Sequence, residues 1–116
     1  MILRIFRAVV KPGQAAAFET MTRAYSLPVI PTHPGRVAFY PGRPVDASTR
    51  EFVMITVWDS LASVEAFTGP DWRRTVMVST EEQPLLESCT IEHYEFYSYP
   101  TVDVRTPTAP RPVTLQ

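Results

Sequence analysis

The sequence lacks asparagine altogether and contains a single cysteine, Cys89, among its 116 residues. The absence of asparagine excludes any mechanism that depends on an Asn side chain. A single cysteine excludes an internal disulfide, and without partner cysteines it forms none of the spacings typical of a zinc site. We therefore expect no bound metal, and this cysteine usage favours a reducing cytoplasm.

Long apolar runs and runs of basic residues are also missing. No apolar segment approaches the roughly 18 residues that a membrane span needs, and the N-terminal arginines lie inside an apolar run, unlike those of a signal peptide. The 11 basic and 12 acidic residues give a net charge of −1, with no cluster able to neutralise successive phosphates. We therefore expect a soluble protein with neither a membrane nor a nucleic acid as partner.

Motifs for cofactor binding and nucleophilic catalysis are absent as well. The four glycines form no Gly-rich phosphate loop, no nucleophile elbow is present, and the two histidines do not cluster with carboxylates. From these absences we expect no cofactor.

What the chain does contain indicates one small folded domain. Its length suits a single domain, and 45% hydrophobic with 20% charged residues is ordinary for a globular protein. Residues 2–10, 36–40, 51–58 and 90–98 read as strands because they are rich in β-branched and aromatic types. With the two helices described next, the order predicts an α+β, ferredoxin-like β-α-β-β-α-β fold with a four-stranded antiparallel sheet.

Two helices are predicted between these strands. In residues 14–27, Phe18, Met21 and Tyr25 follow the i, i+3, i+7 spacing of a helix face, and Pro28 ends the run. The second helix starts after a cap at position 59 or 60 and stops at the Gly-Pro pair 69–70. A short helical piece restarting at position 71 is also expected.

The third strand predicts a partner. Residues 51–58 (EFVMITVW) are apolar on both faces, although two helices can cover only one face of the sheet. We therefore expect a homodimer through sheet-to-sheet packing. Residues 1–98 form the predicted domain and 99–116 a Pro-rich tail, for which disorder and an extended path over another surface both remain open.

Three segments carry a resemblance to a known family. The passages KPGQAAAF, HPGRVAFY and FVMITVWDSLASVEAF resemble antibiotic biosynthesis monooxygenase-like domains of the dimeric α/β barrel superfamily, over about residues 2–98. The resemblance implies a dimeric α/β barrel. It also implies a cofactor-independent monooxygenase acting on a small aromatic or polyketide-like substrate.

The sequence departs from that family at its functional positions. Trp58 matches the strand-three tryptophan of the anthrone oxygenases, but the Asn that precedes it by four residues in that group falls on Met54. The Asn, Trp and His of the heme-degrading branch fall on Phe6, Phe67 and Met77. None of these residues is retained, so the resemblance does not imply heme breakdown here.

His33 is the candidate proton acceptor. It lies in a Pro-rich loop, and an imidazole with an ordinary pKa near 6.5 can act as a base toward an acidic phenol. The alternative is a solvent-exposed loop histidine. For His93, in the last strand, we favour a structural hydrogen bond over catalysis, formed between subunits if the face that carries His93 is the dimer face.

Four aromatic side chains are candidates for binding a ligand. Tyr25, Trp58, Phe67 and Trp72 are predicted to line a flat apolar cavity between sheet and helices, in which an aromatic ligand could stack. Residues at such spacings are also ordinary core residues, and this alternative stays open.

Two classes of function are therefore compatible with the sequence. One is the monooxygenase, or an isomerase or decarboxylase on the same scaffold. The other is a non-catalytic dimeric module that binds a hydrophobic metabolite. An open apolar cavity reached by His33 or a tyrosine would favour the first class, and a filled one the second.

Overall fold

The computed structural model describes residues 1–98 and 111–115 and contains a four-stranded antiparallel sheet. The strands, in sheet order β2-β3-β1-β4, and the two helices have the following bounds: β1 Ile2–Val10, β2 Arg36–Gly42, β3 Glu51–Trp58, β4 Leu86–Glu95, α1 Ala15–Met21 and α2 Leu61–Thr68. The predicted ferredoxin-like fold is confirmed, and β1 and β3 have the predicted bounds.

Strand β1 lies in the middle of the sheet, between β3 and β4. Side chains of a strand alternate between the two faces, so Arg4, Phe6, Ala8 and Val10 share one face. Ala8 and Val10 are buried on it, beneath Phe18 of α1. Helix α2 covers the same face, because its Phe67 ring stacks on Trp58 of β3.

The core is centred on Phe18 and Phe52. Their ring centroids lie 5.0 Å apart with an interplanar angle of 65°, an edge-on arrangement that aromatic pairs favour. Phe18 is the buried residue of a short Ala-rich helix, and Phe52 belongs to the helix-covered face of β3. Together with Ala8 and Val10, this pair fixes α1 against one end of the sheet.

The first predicted helix changes character at Thr22. Residues Thr22–Ser26 form a π-helix, in which the Leu27 N–H donates to the Thr22 carbonyl over 2.9 Å. A bond from i to i+5 adds one residue to the turn, so positions beyond it rotate off the stripe that Phe18 begins. Tyr25 is accordingly 45% exposed, and the expectation of one regular helix with Tyr25 on its buried face was wrong.

Helix α2 begins and ends at the predicted residues. The Ser60 hydroxyl accepts a hydrogen bond from the Ser63 N–H over 3.2 Å, and Gly69 with φ 97° ends the helix. Gly35, at the start of β2, lies against this cap with φ +84°. A Cβ at that position would approach the Ser63 hydroxyl oxygen to 2.1 Å, so only glycine allows the contact.

Two further boundaries differ from the prediction. The expected helical piece at Asp71 is a single turn, in which the Arg74 and Thr75 N–H groups donate to the Asp71 carbonyl over 3.0 Å. Strand β4 begins at Leu86, because pairing with β1 extends it beyond the alternating segment that started at position 90. The segment between α2 and β4 thus contains this turn and the 3-10 helix Gln83–Leu85 but no longer helix.

The second face of the sheet carries no helix in the described part of the chain. It presents Leu3, Ile5 and Val9 of β1 beside Val53, Ile55 and Val57 of β3, all partly exposed. Across from them on β4, the Glu92 carboxylate accepts a hydrogen bond from the Tyr94 hydroxyl over 2.5 Å and pairs with Arg7. This open face is thus apolar in the centre, as the pattern of β3 predicts.

The predicted tail, residues 99–116, lies outside the described residues except for 111–115, which are exposed and without regular secondary structure. None of the helices in the described ranges is long and apolar enough to cross a membrane.

Candidate functional site

An open cavity of about 130 Å³ lies between α1 with its π-helical continuation and the helix-covered face of the sheet. Its wall is mainly apolar and includes Phe6, Phe18, Phe52, Met54, Phe67 and Met77. Two charged groups, Arg4 and Glu82, are buried in this wall. Within residues 1–98 and 111–115, no three metal-ligating side chains come together.

Arg4 enters the cavity wall from β1 and is only 3% exposed. Its Nη1 donates to His93 Nε2 and its Nη2 to the Thr75 carbonyl, each over 2.8 Å. Burial lowers the pKa of Arg4 to about 10, which leaves the guanidinium protonated at neutral pH. No carboxylate in the described residues forms an ion pair with it.

His93 holds the guanidinium from the neighbouring strand. Arginine has only donors, so Nε2 of His93 accepts and the ring carries its proton on Nδ1. Desolvation lowers the pKa of His93, and the charges of Arg4 and Arg73 lower it further. The ring also packs edge-on against Trp72, with centroids 4.8 Å apart. His93 therefore forms a structural hydrogen bond within the chain, on the helix-covered face of the sheet and not on the open face where a bond between subunits would lie.

Glu82 is a buried carboxylate with only 2% of its surface exposed. It accepts hydrogen bonds from the Ser26 hydroxyl of the π-helix and from the Ser79 hydroxyl, the latter over 2.9 Å. No basic side chain of the described residues pairs with it. An acidic group in such a place can exchange a proton with a ligand in the cavity.

The rim of the cavity carries exposed charges. Glu19 of α1 pairs with Arg23 over 3.2 Å and with Arg43 over 3.0 Å, and all three residues line the opening. Both arginine side chains are more than half exposed, so these pairs contribute little to stability. They make the entrance polar, whereas the interior is apolar.

Three of the sequence-predicted site residues meet around Phe67. The Trp58 ring stacks on it at 4.9 Å and the His33 ring packs edge-on against it at 4.6 Å. Phe67 lines the cavity, while His33 and Trp58 lie behind it. Trp58 is fully buried and donates through Nε1 to the Thr56 hydroxyl over 2.8 Å.

The other two predicted residues are not part of this group. Tyr25 is on the exposed side of the π-helix, and Trp72 packs against His93, with the Arg73 guanidinium 4.4 Å above its ring. Neither is among the residues that line the cavity.

Sequence reasoning did not single out Arg4 or Glu82. Arg4 was detectable, because it alternates with Phe6, Ala8 and Val10 and is thus the charged residue of a buried strand face. For Glu82 the sequence holds only a local signal, the three-residue spacing from Ser79 that is typical of a capping box, in which the Ser79 hydroxyl accepts from the Glu82 N–H and donates to its carboxylate. Its contact with Ser26 comes from a distant segment.

The positions that the resemblance singled out do converge. Phe6, Met54, Phe67 and Met77, which stand where the relatives' functional Asn, Trp and His residues are expected, all line this one cavity. The positions given by the resemblance therefore lie together in one cavity.

The fold is shared by solved structures of low sequence identity. An antibiotic biosynthesis monooxygenase-family protein from Nitrosomonas europaea is 22% identical with a TM-score of 0.64, covering 84% of this chain and 100% of its own. A family protein from Deinococcus radiodurans is 12% identical with a TM-score of 0.68, covering 89% and 99%. The heme-degrader MhuD from Mycobacterium tuberculosis, which has two hemes bound in its active site, is 16% identical with a TM-score of 0.61, covering 87% and 100%.

No curated protein matches the sequence. The model of the antibiotic biosynthesis monooxygenase family matches residues 1–76, which include β1, α1, β2, β3 and α2. This chain therefore belongs to the antibiotic biosynthesis monooxygenase family.

Proposed function

We propose that the cavity is the active site of a cofactor-independent monooxygenase that oxidises a small, electron-rich phenol. The observation that carries the proposal is the Glu82 carboxylate, buried in an apolar cavity and held by two serine hydroxyls. Membership of the family supports the reaction type.

The size of the cavity supports a single-ring substrate. An apolar cavity of about 150 Å³ accommodates one benzene molecule. The volume here is about 130 Å³, so the enclosed part suits one aromatic ring. The rings of Phe6, Phe18, Phe52 and Phe67 supply faces and edges for stacking.

Glu82 would begin the reaction by accepting the phenol proton. The ring carbon ortho or para to the phenolate oxygen then gives electrons to O₂ and forms a C–O bond, and Glu82 returns its proton to the peroxide. Loss of the ring proton from that carbon, with cleavage of the O–O bond, releases water and leaves a quinone. One phenol and one O₂ thus give one quinone and one water, with the substrate as reductant.

Heme does not fit this cavity. The described cavity wall contains no His, Cys or Tyr, three of the side chains that bind heme iron. Of the usual iron ligands it contains only methionine, at Met54 and Met77. A volume suited to one ring cannot enclose a porphyrin, and the positions matched to the relatives' working residues are Phe6, Phe67 and Met77. The proposal therefore includes no cofactor.

The test is Glu82→Gln, which keeps the hydrogen-bond acceptor for both serines and removes the base. Oxygen consumption with a panel of single-ring dihydroxy- and methoxyphenols should fall about a hundredfold or more, while binding of the phenol is retained. Glu81→Gln is the matched control, because Glu81 is exposed and outside the cavity wall.

His33 remains the proton acceptor proposed from the sequence, and the same assay separates the two residues. His33 touches Phe67 and does not line the cavity, so we expect His33→Ala to retain most activity. Full activity of Glu82→Gln together with loss in His33→Ala would transfer the role to His33. Activity of both variants would remove general-base catalysis from the proposal.

The second candidate is a non-catalytic module that binds a hydrophobic metabolite. It is favoured by the apolar side chains at all four matched functional positions, Phe6, Met54, Phe67 and Met77. Phenol binding without oxygen consumption across the panel would favour this function over the monooxygenase.

We also propose a homodimer formed through the open sheet face. Residues such as Ile5 and Ile55, paired at the centre of that face, are apolar and partly exposed in one chain. Apolar patches of this kind typically mark interaction surfaces, and a two-fold axis would cover both copies at once.

A further inference from the structure

We propose that Arg4 binds the acidic group of the ligand, so that the cavity takes a single-ring aromatic carboxylate carrying a hydroxyl group. The inference deepens the proposed function, because it places the ligand in the same cavity. It concerns what is bound there, and its test does not depend on turnover.

Arg4 retains N–H groups that donate to no residue of the described chain. A guanidinium has five N–H groups in a planar fork. In the described chain one bond goes to His93 Nε2 and one to the Thr75 carbonyl, which leaves three N–H groups without a protein acceptor. A carboxylate is the group that accepts two such bonds in parallel.

No carboxylate of the described residues balances the positive charge of Arg4. Arginine is almost never fully buried unless it is paired, because desolvating a charge is costly. Arg4 is 3% exposed and its two described acceptors, an imidazole and a carbonyl, are both neutral. The burial that lowers its pKa still leaves it cationic at neutral pH. A ligand anion would supply the charge that the described residues do not.

Glu82 adds a second requirement on the ligand. Its carboxylate lines the same cavity but forms no ion pair with Arg4. An anionic group next to Glu82 would be repelled, whereas a phenol hydroxyl could donate to it. A ring with a carboxylate at Arg4 and a hydroxyl at Glu82 satisfies both residues, which is the pattern of a hydroxybenzoate.

His93 and Thr75 act as positioning groups. Their acceptors lie 2.8 Å from Nη1 and Nη2 and fix the plane of the guanidinium. The Phe67 ring, 5.8 Å from the guanidinium carbon, borders the same group on the cavity side. The remaining donors are thereby held in one orientation before a ligand arrives.

The test compares benzoate with benzamide, which has nearly the same shape and no charge, by isothermal titration calorimetry at neutral pH. Hydrogen bonds to a charged group strengthen binding by about tenfold to a hundredfold, so benzoate should bind at least ten times more tightly than benzamide. Arg4→Gln should abolish this preference while benzamide binding persists. Arg74→Gln, the same charge change at a mostly exposed position outside the cavity wall, should leave it intact.

A positioning role for His93 predicts a separate signature. His93→Ala should weaken benzoate binding more than benzamide binding, because only the carboxylate can accept two parallel hydrogen bonds from the oriented guanidinium. Equal affinity of benzoate and benzamide for the unaltered protein, or a preference that survives Arg4→Gln, would overturn the inference. The first comparison needs no variant, so it decides even if Arg4→Gln does not fold.

Failure of this inference and failure of the proposed function give different results. A benzoate preference with no oxygen consumption by any phenol or hydroxybenzoate would keep Arg4 as the anion site of a binding protein. Turnover of neutral phenols without a benzoate preference would keep the monooxygenase and remove the anion site.

Discussion

Replacing Thr56 by valine tests the polar contact beneath the cavity. Thr56 is 3% exposed, and its hydroxyl oxygen accepts the hydrogen bond from the Trp58 indole over 2.8 Å. Valine has nearly the same shape and suits a strand, so no cavity forms. The substitution therefore leaves the indole N–H of a fully buried tryptophan without its acceptor.

The expected cost follows from that unsatisfied donor. A buried polar group that loses its partner destabilises the folded state by about 1–3 kcal/mol. We expect a loss of about 2 kcal/mol in the free energy of unfolding. For a domain of this size, that corresponds to a decrease in melting temperature of roughly 10 °C.

The assay is a double-mutant cycle measured by chemical and thermal denaturation at one fixed protein concentration. In a Trp58→Phe background the donor is gone, so Thr56→Val should cost little there. The coupling between the two positions should be about 1–2 kcal/mol. An equal cost of Thr56→Val in both backgrounds would refute the reasoning, since the hydrogen bond would then contribute nothing.

Three further predictions concern assembly, heme and pH. Sedimentation at micromolar concentration should show a dimer that Ile55→Lys converts to a monomer, because the lysine places a charge in the centre of the open face; a monomeric unaltered protein would contradict this. Added heme should survive incubation with reductant and oxygen, because Phe6 and Met77 replace the relatives' Asn and His, and its loss in absorption spectra would contradict this. The pKa of His93 in the folded protein lies below its ordinary value of 6.5. As the pH falls, the unfolded chain therefore takes up the proton before the folded protein does. The free energy of unfolding should thus decrease as the pH drops below about 6.5 toward the folded pKa. Urea denaturation at pH 7.5 and 5.5 should show a smaller decrease for His93→Gln, and an unchanged decrease would assign the effect to other groups.

The local sequence pattern was sufficient to predict those elements whose ends are fixed by neighbouring residues. The bounds of β1 and β3 follow from β-branched runs closed by turn residues or a helix cap, and the fold order follows from four such strand segments and two helical ones. The π-helix was not predictable, because the i, i+3, i+7 spacing of Phe18, Met21 and Tyr25 also fits a regular helix. Its last residue, Ser26, donates a hydrogen bond to Glu82, a contact with a distant segment that the local spacing does not contain.

In the candidate site, too, the sequence determined some features and the tertiary structure decided others. The sequence by itself determined the apolar and charged content of each strand face, including Arg4 among buried neighbours, and through the family resemblance it located Phe6, Met54, Phe67 and Met77 at one site. Only the tertiary structure brought Glu82 to Ser26, 56 positions apart in the chain, and left Arg4 without a carboxylate partner among residues 1–98 and 111–115. Burial and unpaired charge depend on which distant segments exclude water from a side chain, and no local pattern of residues contains that information.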